Sequence, residues 1–252
     1  MRQKLRCFNN ELFLLIVIFH NNLSVYLDTV KIVLNNLDSV KMLFYDESMT
    51  EKKYHHGDLK NALIQAGVEV LAQEGLHGLS LRKVAKQAGV SHAAPYAHFA
   101  DKQALIAAIS TEGYKRLYAY LSDVLEIHAA DSHRQLIESA WAYVQFAMQE
   151  ADTFKIMFSG VLEHEKDYPE FVELSQRTFQ LVVKTVRACQ LAGLLRPLPP
   201  ELTAVMVWGQ VHGIISLTLM GQISHTVLEQ YDLRAMLVMT LDQITVKPYE
   251  GE

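Results

Sequence analysis

Ser80-Leu81-Arg82-Lys83-Val84-Ala85-Lys86-Gln87-Ala88-Gly89-Val90-Ser91 is the stretch that decides the fold. Serine is a strong helix N-cap, because its side-chain oxygen accepts a backbone N–H that the first helical turn leaves unpaired. Ser80 therefore opens a helix over Leu81 to Ala88, with Leu81, Val84 and Ala85 turned inward and Arg82, Lys83 and Lys86 outward. Small Ala85 lets a neighbouring helix come close, Gly89 permits a tight turn, and Val90 is expected to seal it as a buried residue. Ser91 then opens a third helix, His92 to Phe99. Upstream, Leu59, Leu63, Ala66, Val70 and Leu71 recur at helical spacing and predict a first helix over Asp58 to Glu74. Asp58 complements its positive end, and Gly75 terminates it. Such a trihelical unit can lay its last helix in the major groove of DNA, although the same spacing also suits a plain corner of two helices.

Charge separates the alternatives. Lys52 to Lys102 holds seven Lys/Arg (Lys52, Lys53, Lys60, Arg82, Lys83, Lys86, Lys102) against four acids (Asp58, Glu69, Glu74, Asp101). That window carries +3 in a chain of 252 residues with a net charge of −5, leaving −8 for the remainder. Five of the eleven histidines also fall in it. A basic segment on an acidic body predicts one local anion site and excludes indiscriminate coating of nucleic acid. Two cysteines, Cys7 and Cys189, make no CxxC pair and no disulfide framework, which fits a reduced cytoplasm with Cys189 buried.

The first 48 residues differ from the rest. They contain no Gly, Ala or Pro and hold six of the seven asparagines. Arg2, Lys4 and Arg6 precede an apolar run, Leu12–Phe19, that is too short to span a bilayer, and no small-residue cleavage site follows. The excess residues are those with A/T-rich codons. The expectation is that residues 1–48 are a non-native or disordered leader, with Met49 the native start. A genuine N-terminal arm and a targeting segment are the alternatives.

The run Ser80–Ser91, followed by Tyr96-x-His98-Phe99-x-Asp101-Lys102-x-x-Leu105, resembles the signature of the tetracycline-repressor (TetR) family over about 50 residues. The resemblance implies an all-α fold. Residues 52–102 would form the helix-turn-helix DNA-binding domain, and residues 103–246 a helical regulatory and dimerisation domain. It also implies roles. His92, Ala93 and Ala94, just after Ser91, face base edges. Tyr96, His98 and Lys102 contact phosphates and set register. Ser80 and Arg82 reach the opposite backbone, and Lys53, His55 and His56 track a phosphate or enter the minor groove. Pro95 departs from the family pattern, which usually has an aliphatic residue there. Proline removes a backbone donor and puts the pose of the reading helix, hence its base contacts, in question.

Beyond Asp101, helices are expected at about 102–125, 132–149, 152–159, 168–192, 200–221 and 228–244. No βαβ alternation, phosphate loop or repeat interrupts them. Trp208-x-x-x-His212-Gly213 resembles the Trp-His-Gly motif of one C-terminal domain type in the family, and Tyr54-His55-His56-Gly57-Asp58 resembles the same subgroup. Trp208 and His212 share a helix face, while Gly209 and Gly213 leave a groove for another helix. Candidate effector-binding residues are Trp141, Phe154, Met157, Phe158, Trp208 and His212, with Tyr143 and Phe146 as further aromatic candidates; core packing is the competing role for all of them. Glu163-His164-Glu165-x-Asp167 has metal-ligating side chains but reads as a solvated loop.

Three function classes remain. The leading one is a cytoplasmic, homodimeric, ligand-responsive DNA-binding transcriptional regulator, a repressor released from a palindromic operator by a small, mostly apolar effector. A DNA-binding regulator without a small-molecule ligand, controlled by a protein partner or constitutive, is the second. An enzyme on the helical half is disfavoured, because His128, His133, His164, His212 and His225 show no converging catalytic spacing. No cofactor, metal or membrane partner is expected.

Overall fold

The computed structural model describes residues 59–246. Lys53, His55, His56, the expected helix start at Asp58 and the expected 1–48 leader lie outside them. Among the described residues the chain is helical, with a single isolated antiparallel bridge between Leu195 and Thr245. The helices are α1 (Leu59–Gly78), α2 (Leu81–Gln87), α3 (Lys102–Ile127), α4 (Ser132–Gln149), α5 (Ala151–Met157), α6 (Pro169–Leu191), α7 (Pro200–Leu219), α8 (His225–Gln230) and α9 (Leu233–Asp242). The all-α expectation is met.

Caps set most boundaries where the sequence puts them. Ser80 Oγ accepts Lys83 N–H at 3.3 Å to open α2, Asp101 accepts Ala104 N–H at 2.8 Å to open α3, and Asp131 accepts Arg134 N–H at 2.9 Å to open α4. Gly75 leaves helical geometry at φ 68°, so the regular part of α1 ends there. Gly89 also has φ 68°, and the turn closes as Val90 N–H bonds Ala85 C=O at 3.0 Å; Val90 itself is half-buried rather than buried.

Two expected helices change form. His92–Phe99 is not a regular α-helix: only Ala94–Ala97 winds, as one 3₁₀ turn. In a helix capped by Ser91, residue 95 would donate the first α-type bond back to the cap carbonyl. Pro95 has no N–H to give, so Ala94 N–H takes the Ser91 carbonyl instead, at 3.0 Å, in the tighter i→i+3 pattern. The helix expected over 228–244 is two, because Tyr231 is extended and Asp232 starts α9 by accepting Ala235 N–H at 2.6 Å.

There are two cores. The first joins α1, α2 and the start of α3 through Leu63, Val84, Phe99, Leu105 and Ile109. The second lies among α3, α4, α6, α7 and α9 and includes Leu117, Val144, Val186, Ile215 and Leu237. Cys189 belongs to the second, its Sγ 3.1 Å from Ser132 C=O, and burial pushes its thiol up to about 12. The short helix α5 contributes to both: Ile156 packs in the first core, Phe154 and Met157 in the second.

Candidate DNA-reading surface and effector cavity

The surface expected to meet DNA is built from the start of α2 and the 3₁₀ turn. Arg82, Lys86, Ser91, His92, Ala93, Tyr96 and His98 are exposed, with Tyr96 at 55%; Ser80 and Ala94 are half-buried, and Pro95 and Phe99 turn inward. Ser80 Oγ already accepts the α2 cap bond, which leaves its proton for an outside acceptor. Lys83 pairs with Glu74, beside this surface. Lys102 has an internal role that sequence did not show: its ammonium donates to Leu76 C=O at 2.7 Å, neutralising the chain end of α1 just past Gly75. His98 lies along a cleft of about 340 Å³ between α1 and the start of α6, so it borders the regulatory half as well as solvent.

The second feature is a half-open cavity of about 350 Å³ lined by α3, α4, α6, α7 and Phe158 at the end of α5. Of the six effector candidates, Phe158 and Trp208 line it. Tyr143 lines it too and organises its polar wall: Trp208 Nε1–H donates to Tyr143 Oη at 3.1 Å, and Tyr143 Oη is 2.8 Å from His212 Nδ1. Burial lowers the His212 pKa below its ordinary value, which keeps the imidazole neutral and Nδ1 able to accept the tyrosine proton. The rings of Tyr143, Phe154 and Phe158 and the Trp208 indole surround His212, at centroid distances of 6.3, 5.4, 4.9 and 5.7 Å.

The remaining candidates do not line the cavity. His212 and Phe154 stand behind Tyr143, in a second layer of the wall. Met157 faces α3, where its sulfur would meet any side chain placed at Gly113. Trp141 is two residues from Tyr143, roughly 200° round the helix; it faces α9, and the Arg234 guanidinium lies 5.3 Å from its ring centroid. Phe146 is a buried core residue and not a cavity wall. Sequence reasoning missed Tyr114 as a wall residue. The spacing Leu117, Leu121, Leu125, with Tyr114 three residues before the first, was the available signal. Among the described residues no group of three or more His, Cys, Asp or Glu is placed to hold a metal, and Glu165–Asp167 forms an exposed 3₁₀ turn.

A pH dependence follows from His212. Its folded pKa lies below the unfolded value of about 6.5, so its contribution to stability is complete above that pH. As pH falls, the unfolded chain binds the proton first and stability is lost. The side chains packed on it are Tyr143, Phe154, Phe158 and Trp208, none charged. Melting temperature measured from pH 8 to pH 5 should fall more steeply for the native chain than for His212→Asn; parallel curves would refute the assignment.

Residues 63–109 match the family model of bacterial regulatory proteins of the tetR family, and residues 136–241 match a tetracyclin repressor-like C-terminal domain. A solved protein of unknown function from Rhodococcus sp. RHA1 is 30% identical, with a TM-score of 0.64 over 77% of this chain and 97% of that one. The chain belongs to the TetR family of transcriptional regulators.

This TetR-family chain is also 21% identical over 190 residues to the HTH-type transcriptional regulator HbdR of Aromatoleum sp. (strain CIB), covering 71% of this chain and 76% of HbdR. FadR of Bacillus subtilis, solved in complex with stearoyl-CoA, shares the fold at 17% identity and a TM-score of 0.61, over 75% of this chain and all of that one. The first match runs from α1 to the start of α3, and the second from α4 to α9.

Proposed function

We propose that the protein is a cytoplasmic, homodimeric transcriptional repressor that leaves a palindromic operator when a small, mostly apolar effector enters the cavity walled by Phe158, Tyr143 and Trp208. The observation that carries this reading is the double membership of α5. Phe158, at its end, lines the cavity, and Ile156, two residues earlier, packs in the core of the DNA-reading domain. An effector that displaces Phe158 therefore acts on an element whose other face positions the reading domain. It releases DNA only through its greater affinity for the arrangement that mismatches the operator.

The dimer belongs on α7. Leu202, Val205, Met206, Leu217 and Met220 are about half exposed or more, and a Cβ at Gly209 or Gly213 would meet open space. That is an apolar stripe with a glycine groove, suited to close packing against the same helix of a second copy. This helix is also long and apolar enough to cross a membrane; a partner helix is the reading favoured because α7 lies inside the matched tetracyclin repressor-like C-terminal domain. The Trp208, His212, Gly213 triplet supports assignment to the Trp-His-Gly subgroup. Two reading segments would then enter successive major grooves, about 34–36 Å apart.

Ser80, Arg82, Tyr96 and Lys102 are assigned to phosphates, and Ser91, His92, Ala93 and Ala94 to base edges. His98 and the Lys53, His55 and His56 segment are assigned to the flanking backbone. Selection of binding sequences from random DNA, followed by titration at several salt concentrations, tests the whole reading. Arg82→Ala and Tyr96→Ala should weaken binding to every sequence, with the salt slope reduced by about one for Arg82→Ala. His92→Ala should instead change the order of preference among sites. Absence of any selected palindrome, or an unchanged salt slope for Arg82→Ala, contradicts the docking.

A further inference from the structure

The cavity wall has a one-sided polar chemistry. Among the residues that line it there is no Lys, Arg, His, Asp or Glu. Its serine and threonine hydroxyls are turned back onto their own helices. Ser139 donates to Leu136 C=O at 3.2 Å, Ser175 to Val172 C=O at 2.9 Å, Thr178 to Leu174 C=O at 2.8 Å and Thr185 to Leu181 C=O at 3.0 Å. The Tyr143 proton is engaged by His212, and the Trp208 indole proton by Tyr143. Gln176 lines the cavity as an exposed side chain, at its rim.

Tyr114 differs from all of these. It lines the cavity at 9% exposure, and its ring is held edge-on by Phe158 and Phe171 at centroid distances of 5.9 and 5.6 Å. Its hydroxyl has no hydrogen-bond partner among the described residues. Burial, with Glu165 nearby, pushes this phenol up to about 12, so it keeps its proton at any physiological pH. A donor that faces the cavity without a protein partner is available to a ligand acceptor.

We infer that the cavity takes an electrically neutral, largely apolar molecule bearing one hydrogen-bond acceptor, of the ketone or ester type, and that Tyr114 O–H donates to that acceptor. This rests on the effector-cavity reading above. A carboxylate entering the same space would shed its hydration and meet no opposing charge, and every hydroxyl of the wall except that of Tyr114 has its proton engaged. It enters only as the neutral acid. An ammonium ligand meets the same obstacle, since no carboxylate faces it.

Three matched probes test this with the full chain: 2-decanone, nonanoate and decane, titrated while following tryptophan fluorescence, since Trp208 stands in the wall. At pH 8, 2-decanone should bind at least roughly a hundredfold tighter than nonanoate, whose affinity should gain about tenfold for each pH unit lowered, because only the acid form enters. The ketone should show no such slope between pH 8 and pH 7. Tyr114→Phe should weaken the ketone by roughly fivefold, the worth of one neutral hydrogen bond, and leave decane unchanged. Nonanoate binding as tightly as the ketone at pH 8, without a pH slope, overturns the neutral-ligand inference while leaving the cavity reading in place. An unchanged ketone-to-decane ratio in Tyr114→Phe overturns the donor assignment. Failure of all three probes to bind overturns both the inference and the effector-cavity reading beneath it. The native-chain comparison of ketone with carboxylate stands even if Tyr114→Phe does not fold.

Discussion

Gly113→Val should cost about 3 kcal/mol of stability, the upper range for forcing volume into a packed interior. The helices α3 and α5 touch at this glycine. A Cβ there would meet Met157 Sδ and lie 2.8 Å from Thr153 Cγ2, so valine cannot be accommodated unless α5 moves away. The helix is fastened on either side of that point. Arg116 makes a two-pronged pair with Glu150 at the start of α5, through Nε at 2.8 Å and a terminal nitrogen at 2.5 Å. Beyond α5, the Gln103 amide both donates to Val161 C=O at 3.2 Å and accepts Glu163 N–H at 3.0 Å. With the ends held and the middle pushed, the strain falls on Ile156 and Phe158, the residues that link the two cores. For a domain of this size the melting temperature should drop by roughly 6–12 °C. Effector response should be lost as well, if any folded protein still binds operator. A melting point within about 2 °C of the native chain would show that the α3–α5 contact carries no such constraint.

Trp208→Ala is the second large effect, expected at about 3 kcal/mol. The indole contributes in two ways. Its ring closes the cavity against Phe158 and Phe179, at centroid distances of 6.0 and 6.3 Å, and its N–H satisfies Tyr143 Oη. Alanine removes both and enlarges a space that is already about 350 Å³. Trp208→Phe keeps most of the ring and loses only the donor, so its cost should be nearer 1 kcal/mol. Chemical denaturation of the two variants separates the contributions. Equal losses would mean that the hydrogen bond, and not the buried ring, dominates at this position.

Much of the DNA-reading half was legible before any coordinates, because its determinants are local. Ser80 and Asp101 cap helices by bonds that reach three residues along the chain, and Gly89 meets a backbone requirement of its own turn. Pro95 was visible as an irregularity, but its consequence was larger than a change of aim. It removed the bond that would have begun a regular helix, and the segment winds as a single 3₁₀ turn.

The effector half was less legible, because a side chain's composition does not say which neighbour it faces. Trp141 and Tyr143 are two residues apart in the same helix; one stacks beneath Arg234 and the other frames the cavity. Trp208 and His212 share a helix face, as their spacing demands, yet only Trp208 reaches the cavity while His212 supports it from behind. Lys102 reads from sequence as a phosphate ligand only, and the fold adds an internal bond from its ammonium to Leu76 C=O.

By itself, then, the sequence determined an all-helical chain, a helix-turn-helix with its caps and turn, and an aromatic regulatory half, since periodicity and capping act over three or four residues. Tertiary structure alone brought Arg116 to Glu150 at the start of α5. It also decided which aromatic rings enclose a space and which fill one, and left the Tyr114 hydroxyl as the wall donor without a partner. Those outcomes depend on contacts between residues 30 to 100 positions apart, whose packing fixes which face of each helix meets which neighbour.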